Sequence, residues 1–250
     1  MKSISKFTGK VGNYVKYRPG YPEAILHLLD KEIGFDQFKD VADIGSGPGK
    51  LSKLFLNNDN LVYGVEPNDE MREAGEKLLE DYINFISIKG TAEFTALADR
   101  SIDVIVSGQA FHWFDSEKAK IEFNRILKPG GYVVLIWNKR DMETSEFMKE
   151  YEKLVCECCP EYNPDLDLNE KTFNKFYGVK NFHLANFRNS QVFDFNGLKG
   201  RLLSASYAPS EITANKEILS RLKDIFDKRN KDGKIKFEYN TKVYFGKIKK

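Results

Sequence analysis

From residue 20 onward the apolar positions switch repeatedly between two periods. Ile25, Leu26, Leu28, Leu29 and Ile33 recur at helical spacing across Glu23–Ile33, with Gly34 as the stop. Val41–Ile44 is a short apolar run entering a glycine-rich turn, and Leu51–Leu56 continues as a helix. Leu61–Val65 predicts a second strand, the stretch from Asp69 to about Leu79 a helix, and the alternating Ile83–Ile88 a third strand. Ile102–Val106 is almost wholly β-branched, which fits a strand buried on both faces. Ser116–Leu127 predicts a helix closing at Lys128-Pro129-Gly130-Gly131, and Tyr132–Trp137 a fifth strand. Strands separated by helices of this length specify an α/β protein: a Rossmann-like, doubly wound, mostly parallel sheet with right-handed crossovers.

After Asn138 the pattern changes. Glu146–Cys158 reads as an amphipathic helix, Pro160–Leu168 as a loop and Lys171–Phe176 as a short helix. Phe187–Phe195 reads as a strand, Gly200–Ala205 as a helical turn, Asn215–Lys228 as a helix, and Lys236–Phe245 as one or two strands. There is no internal repeat and no low-complexity linker. The expected organisation is therefore an N-terminal lid and first helix (1–35) and a ligand-binding core (36–140). A C-terminal elaboration of helices and strands (141–250) completes the same sheet.

Charge and composition narrow the partners. Thirty-nine Lys and Arg balance 37 Asp and Glu, leaving a formal charge of +2 that offers no nucleic-acid groove; Lys247–Lys250 is read as a solvated tail. No window approaches the roughly 18 apolar residues of a membrane span, and residues 1–6 lack a secretory h-region. A cytoplasmic protein with a small-molecule partner is the expectation, its oligomeric state left open. Cys156, Cys158 and Cys159 are too close together for a disulfide framework, and no second Cys/His group completes a metal set; no metal is expected.

The candidate chemistry begins at Asp43-Ile44-Gly45-Ser46-Gly47-Pro48-Gly49, where the first strand meets a helix. Ligands of doubly wound sheets bind outside the carboxyl ends of the strands, and glycines there allow positive φ and close backbone approach. A tight turn without ligand is the competing reading. The dinucleotide fingerprint wants a small residue where Lys50 stands, and the Asp43 carboxylate repels a pyrophosphate but suits an ammonium group. Glu66, ending the second strand, is placed to accept from both hydroxyls of a ribose. A nucleoside joined to a zwitterionic amino acid, without phosphates, meets these demands.

The ordered series Asp43–Gly49, Gly64-Val65-Glu66-Pro67-Asn68-Asp69-Glu70-Met71, Gly90-Thr91-Ala92-Glu93, Ser101–Val106, Ala110-Phe111-His112-Trp113 and Leu127–Gly131 resembles the class I S-adenosylmethionine-dependent methyltransferases, especially the type 11 group, over roughly residues 8–138. Tyr17–Pro22 and Leu202–Pro209 look most like the trans-aconitate methyltransferase-like branch. Thr95-Ala96 departs from the Leu-Pro frequent in that branch and is expected to alter a loop without abolishing the cofactor site. The resemblance implies S-adenosylmethionine as cofactor. It puts Gly45, Ser46, Gly47 and Gly49 around the methionyl part, with Asp43 orienting the loop or the ammonium. It implies Glu66 on the ribose, Asn68 and Met71 bordering the adenine, and Thr91, Ala92 and Glu93 at its edge. Gln109 would lie beside the methionyl part, and Met71 has a core residue as its alternative reading.

Methyl transfer from a sulfonium asks the protein mainly to align the acceptor and exclude water. His112 is the candidate catalytic residue, as base or acceptor-orienting group, against the reading of a structural histidine. Trp113 is expected to wall the acceptor pocket, and its ring or that of Phe111 to favour a sulfonium. Tyr14 and Arg18 from the N-terminal segment, with Arg201 and Tyr207 from the C-terminal cover, are substrate-binding candidates, Arg18 as a bidentate partner of a carboxylate. The function expected is methylation of a small molecule, with a carboxylate as one candidate acceptor. The alternatives are a non-catalytic S-adenosylmethionine-binding protein and an NAD-dependent oxidoreductase, the latter disfavoured by Lys50 and Asp43.

Overall fold

The structure is a computed structural model that describes residues 10–163, 169–208 and 212–249. The first nine residues of the expected lid, the end of the Pro160–Leu168 loop, Pro209 of the Leu202–Pro209 motif and Lys250 of the basic tail lie outside the described residues.

Five strands build the parallel half of the sheet: β1 (Val41–Ile44), β2 (Val62–Val65), β3 (Phe85–Ile88), β4 (Ile102–Gly108) and β5 (Leu127–Arg140). Two long antiparallel strands follow, β6 (Phe182–Phe193) and β7 (Ile235–Gly246), and the sheet order is β3-β2-β1-β4-β5-β7-β6. β7 inserts beside β5, pairing Val133 with Gly246 through Arg140 with Tyr239, and β6 pairs along the other side of β7. The strand order reverses between β1 and β4, so the loops leaving their carboxyl ends open a crevice there.

The pleat explains why these strands are apolar throughout. Val133, Leu135 and Trp137 of β5 point to one face, where Phe123, Phe173 and Phe176 cover them, while Val134 and Ile136 point to the other, against Ile25, Leu29 and Phe55. The helix α2 (Ala24–Ile33) leads into β1, and α3 (Ser52–Leu56), α4 (Asp69–Leu78) and α5 (Ser116–Ile126) are crossovers between parallel strands. Side-chain caps fix two of their starts: Asn68 Oδ1 accepts from Met71 N, and Asp115 Oδ1 accepts from Lys118 N. A third cluster unites α6 (Glu146–Cys158), α8 (Phe195–Leu203) and α9 (Ile212–Arg229) with the far end of β7 around Tyr151, Leu202, Leu222 and Phe237.

The short helix α1 (Val11–Tyr17) is held to the cover from outside the sheet. Lys10 Nζ donates to Ala205 O and Ala208 O at 3.1 Å each, and Arg18 Nη2 donates to Ser204 O at 3.0 Å. These carbonyls belong to the turn that ends α8, where cations complement the helix dipole. The elaboration is larger than the periodicity suggests. α8 replaces a helical turn, and β6 begins at Phe182, five residues before the expected strand, because exposed edge residues such as Leu184 break the alternation.

β5 also differs from expectation. The strand takes in Lys128-Pro129-Gly130-Gly131, which the pattern assigns to a helix stop. Leu127 pairs with Ile102 and Tyr132 with Val104, so the four residues between them form a bulge. Lys128 Nζ ties this bulge to Asp40 (2.7 Å) and Asp103 (2.6 Å).

Candidate functional site

Asp43 through Gly49 leave β1 and turn over the carboxyl end of β2. Gly45 N and Ser46 N both donate to Val65 O, at 2.9 and 3.2 Å. Gly45, Gly47 and Gly49 have φ of 69°, 54° and 76°. At Gly45 a Cβ would stand 2.6 Å from Ala110 Cβ, so the turn lies directly on the segment that follows β4. Glycine is required here both for its dihedral and for the contact.

Asp43 is fully buried beneath this loop. Its Oδ2 accepts from Ser52 Oγ at 2.7 Å, while Oδ1 has no partner. Burial, with a smaller push from Glu66, raises its pKa to about 7 in spite of the Ser52 hydrogen bonds. A buried acceptor lacking a donor is costly, and a ligand ammonium or hydroxyl removes the cost. The residues present therefore fit the zwitterionic group expected from the sequence.

Glu66 is occupied in a way the sequence does not announce. Oε2 accepts from Gly47 N at 2.8 Å and Oε1 accepts from Asn68 N at 2.9 Å, so the carboxylate braces the loop against the start of α4. Each oxygen keeps a second lone pair for a ribose hydroxyl. Burial raises the pKa of Glu66, opposed by the Asn68 and Gly47 amides. Asn68 and Met71 are buried alongside, Met71 at 4% exposure and bonded through its N–H to Asn68. Thr91 closes a tight turn with Phe94, Ala92 is buried, and Glu93 Oε1 accepts from Asp115 N at 2.8 Å, linking the turn to the start of α5.

Gln109 marks the boundary with a second space. It is a non-glycine residue at φ 58°, its N–H donates to Ile136 O at 3.0 Å, and its Oε1 is buried without a partner. Strain of this kind persists only where neighbours enforce it. Beyond it lies a cavity of about 500 Å³, and Tyr14, Arg18, His112, Trp113, Arg201 and Tyr207 all line it together with Gln109. Side chains separated by up to 193 positions in sequence thus meet in one chamber.

His112, next to Trp113 on a single 3₁₀ turn, is held well below its ordinary value, at about 4, by burial, and its Nδ1 has no partner. Arg201 is 3% exposed; Nε donates to Tyr239 OH at 2.9 Å and Nη1 is unpartnered. Arg18 stacks over the Tyr14 ring at 5.2 Å, and its buried Nε is likewise unpartnered. Burial and then the Arg201 charge lower the Arg18 pKa, but a guanidinium remains a cation at neutral pH. Neither arginine has a carboxylate partner among the described residues.

Sequence reasoning missed much of this chamber. Trp137 and Asn138 from β5, Arg140 at its end, Glu152 on α6 and Tyr162 all line it. Arg140 Nε donates to Glu152 at 2.7 Å and Nη1 to Tyr207 OH at 2.5 Å; Tyr162 OH donates to Glu152. Asn138 is a junction: its Oδ1 accepts from Thr241 and Asn189, and its Nδ2 donates to Gly20 O. The only available signal was the polar Asn138-Lys139-Arg140 run ending an otherwise apolar strand.

Known proteins place part of this chain. Residues 42–135 match the family described as a methyltransferase domain. An uncharacterized methyltransferase of Mycobacterium bovis is 38% identical over 136 residues, 54% of this chain and 53% of that protein. The chain spans about half the length of the first curated relatives it matches. Among solved structures, a putative type II methyltransferase from Anaeromyxobacter dehalogenans aligns over 93% of this chain and 98% of its own with a TM-score of 0.70 at 18% identity. A phosphoethanolamine N-methyltransferase of Haemonchus contortus, solved with S-adenosylhomocysteine, covers all of this chain and 57% of its own at a TM-score of 0.54 and 17% identity. The stretch 42–135, which carries the glycine loop, Glu66 and His112, thus matches the methyltransferase-domain family, and the chain has a Rossmann-like fold.

Proposed function

We propose that this chain is an S-adenosylmethionine-dependent methyltransferase acting on a small anionic acceptor, a carboxylate. The observation that carries the reading is the pairing of two unmet needs across Gln109. On one side Asp43 Oδ1 is buried without a donor; on the other Arg18 and Arg201 hold buried guanidinium N–H groups without an acceptor. S-adenosylmethionine supplies an electrophilic methyl on a sulfonium. The Haemonchus neighbour's bound S-adenosylhomocysteine supports this identity of the donor.

In this reading Asp43 and the loop amides at Gly45–Gly49 receive the amino-acid part, Glu66 the ribose, and Asn68, Met71 and Thr91–Glu93 the base. Tyr14, Arg18, Trp113, Arg201 and Tyr207 hold the acceptor. A carboxylate is already ionised at neutral pH and needs no general base. His112, whose pKa burial lowers to about 4, stays neutral there and orients the acceptor; it is too weak a base to hold a phenolic proton. The parts then divide as the sequence suggests: lid 1–35, donor-binding core 36–140 and acceptor cover 141–250. Kinship with the trans-aconitate methyltransferase-like branch, a cytoplasmic setting and a partner that is not nucleic acid belong to the same proposal, the last supported by the near-neutral charge.

Calorimetric titration with S-adenosylmethionine and, separately, NAD tests the donor. Binding of the first alone is expected, weakened in Glu66→Ala. Preference for NAD overturns the reading, and unchanged affinity in Glu66→Ala overturns the ribose assignment.

A further inference from the structure

We propose that the methyl acceptor is the carboxylate of a flat aromatic acid, an inference that rests on the methyltransferase reading and adds the acceptor's shape. Among the described residues the apolar lining of the chamber is almost entirely aromatic: Tyr14, Trp113, Trp137, Tyr162, Tyr207 and Tyr244, with Met142 and no leucine, isoleucine or valine. Ordinary pockets mix aliphatic and aromatic walls. Rings present flat faces and edges, which reward a flat π-system and give a puckered aliphatic ring less contact.

The rings stand in two pairs on different parts of the fold. Trp137 and Tyr244 rise from neighbouring strands β5 and β7, with centroids 6.1 Å apart and planes at 77°. Tyr162 and Tyr207 come from the segments after α6 and α8, with centroids 4.8 Å apart and planes at 57°. The second pair is fixed through Arg140, which donates to Tyr207 and whose partner Glu152 accepts from Tyr162. Both hydroxyls are thereby held, which fixes the orientations of the two rings.

An aromatic cage alone suits a cation equally well. Charge decides against that here. Among the described residues Arg18, Lys139, Arg140, Arg201 and Lys242 line the chamber against Glu152 and Glu161, an excess of three positive charges. Arg140 spends its charge on Glu152, whereas Arg201 is nine-tenths buried with Nη1 unpartnered. An ammonium acceptor is repelled from such a site, while a carboxylate supplies the missing acceptor atoms. The buried, unpartnered Nε1 of Trp137 adds a donor for an oxygen substituent on the ring.

The step balances without a proton. A carboxylate oxygen lone pair forms the new C–O bond to the methyl carbon. The C–S bond breaks with its electrons returning to sulfur, and a methyl ester and S-adenosylhomocysteine leave.

The test compares benzoate with cyclohexanecarboxylate, which share charge and size but differ in flatness. Calorimetry on the full chain, with and without S-adenosylhomocysteine, is expected to show benzoate binding about ten-fold more tightly. With S-adenosylmethionine, at least one of benzoate, cinnamate and indole-3-acetate is expected to give its methyl ester in equal amount to S-adenosylhomocysteine. Trp113, 37% exposed, is replaceable without loss of the core, and Trp113→Leu is expected to shrink the discrimination to about three-fold or less. Equal or tighter binding of cyclohexanecarboxylate, undiminished discrimination in Trp113→Leu, or no ester from any of the three acids while the donor binds overturns the aromatic assignment. Failure of the donor to bind, with benzoate still bound, overturns the methyltransferase reading instead.

Discussion

The turn at residues 43–49 and the chamber beyond Gln109 do different work with different materials. The turn is main chain: seven consecutive residues, three of them glycines at positive φ, fastened by N–H groups to Val65 O and Glu66. Its specificity lies in where amides point, and one side chain, Asp43, supplies the charge. The chamber is side chain: arginines, tyrosines and tryptophans brought together from α1, β5, α8 and β7. A binding surface made of backbone changes little when side chains vary, so one turn holds one ligand. A surface made of side chains from many elements changes its ligand by substitution. In the proposed reaction the donor is the constant and the acceptor the variable, which matches how the two regions are built.

The sharpest way to break the donor side alone is at Gly45. Gly45→Ala places a Cβ 2.6 Å from Ala110 Cβ at φ 69°, costing about 1–3 kcal/mol of stability and shifting the loop amides. Loss of about 100-fold or more in S-adenosylmethionine affinity by calorimetry is the expected outcome, with benzoate binding to the chain retained. Parallel loss of both ligands means that the halves are one cooperative unit.

Arg201→Met performs the converse experiment. The variant keeps the stem volume and loses the guanidinium, leaving Tyr239 OH its bond to Gln191 Oε1 at 2.9 Å. Acceptor kcat/KM is expected to fall by roughly 30-fold or more, with donor affinity unchanged. A fall in donor affinity instead removes Arg201 from the acceptor side.

Both halves differ in how much of them the sequence discloses. The turn is contiguous, so its glycines, Asp43 and the place of Glu66 at the end of β2 were readable from spacing. That the Glu66 oxygens are already engaged by Gly47 and Asn68 was not, because those bonds depend on how the strand end meets the loop. The parallel core was legible for a similar reason: strands buried on both faces must be apolar at every position. Arg140, Glu152 and Tyr162 are different. Each is an ordinary surface-type residue locally, and only the pairing of β5 with β7 and the packing of α6 turn them inward. Tyr14, Arg18, Arg201 and Tyr207, the substrate-binding candidates of the sequence, line one cavity with His112 and Trp113.

Asp43 sets stability against binding. Its carboxyl has a pKa of about 7 in the folded chain and close to the ordinary carboxylate value when unfolded. The folded state therefore holds the proton more tightly. Its contribution to stability is fully present below the unfolded value and is lost as pH rises through about 7. Asp43→Asn removes this dependence while preserving an acceptor for Ser52. Thermal unfolding at about pH 8 is expected to rise by several degrees, on the order of 2 kcal/mol, while donor affinity falls. A variant no more stable at that pH shows that the native carboxylate is already satisfied.

The smallest effect is expected from Ala96→Gly, where the chain departs from the branch it resembles. Thr95 is fully buried; its N–H and its hydroxyl both donate to Glu122 Oε1, at 2.8 and 2.6 Å. Burial would raise the Glu122 pKa, but Arg125 and Thr95 outweigh it and hold the carboxyl down at about 2. Ala96, the next residue, sits at φ 61°. Proline is confined near −65°, so the Leu-Pro pair of the branch is incompatible with this turn, and the Glu122 anchor replaces it. Ala96→Gly relieves the left-handed strain and is expected to stabilise the fold by about 0.5–1 kcal/mol. Ala96→Pro must rebuild the loop and is expected to destabilise by a few kcal/mol, on the order of other backbone-incompatible prolines. The loop lies between Thr91–Glu93, proposed above at the adenine edge, and β4, so donor affinity is expected to change less than three-fold in Ala96→Gly. A larger change places this turn among the donor contacts and makes the departure a functional one.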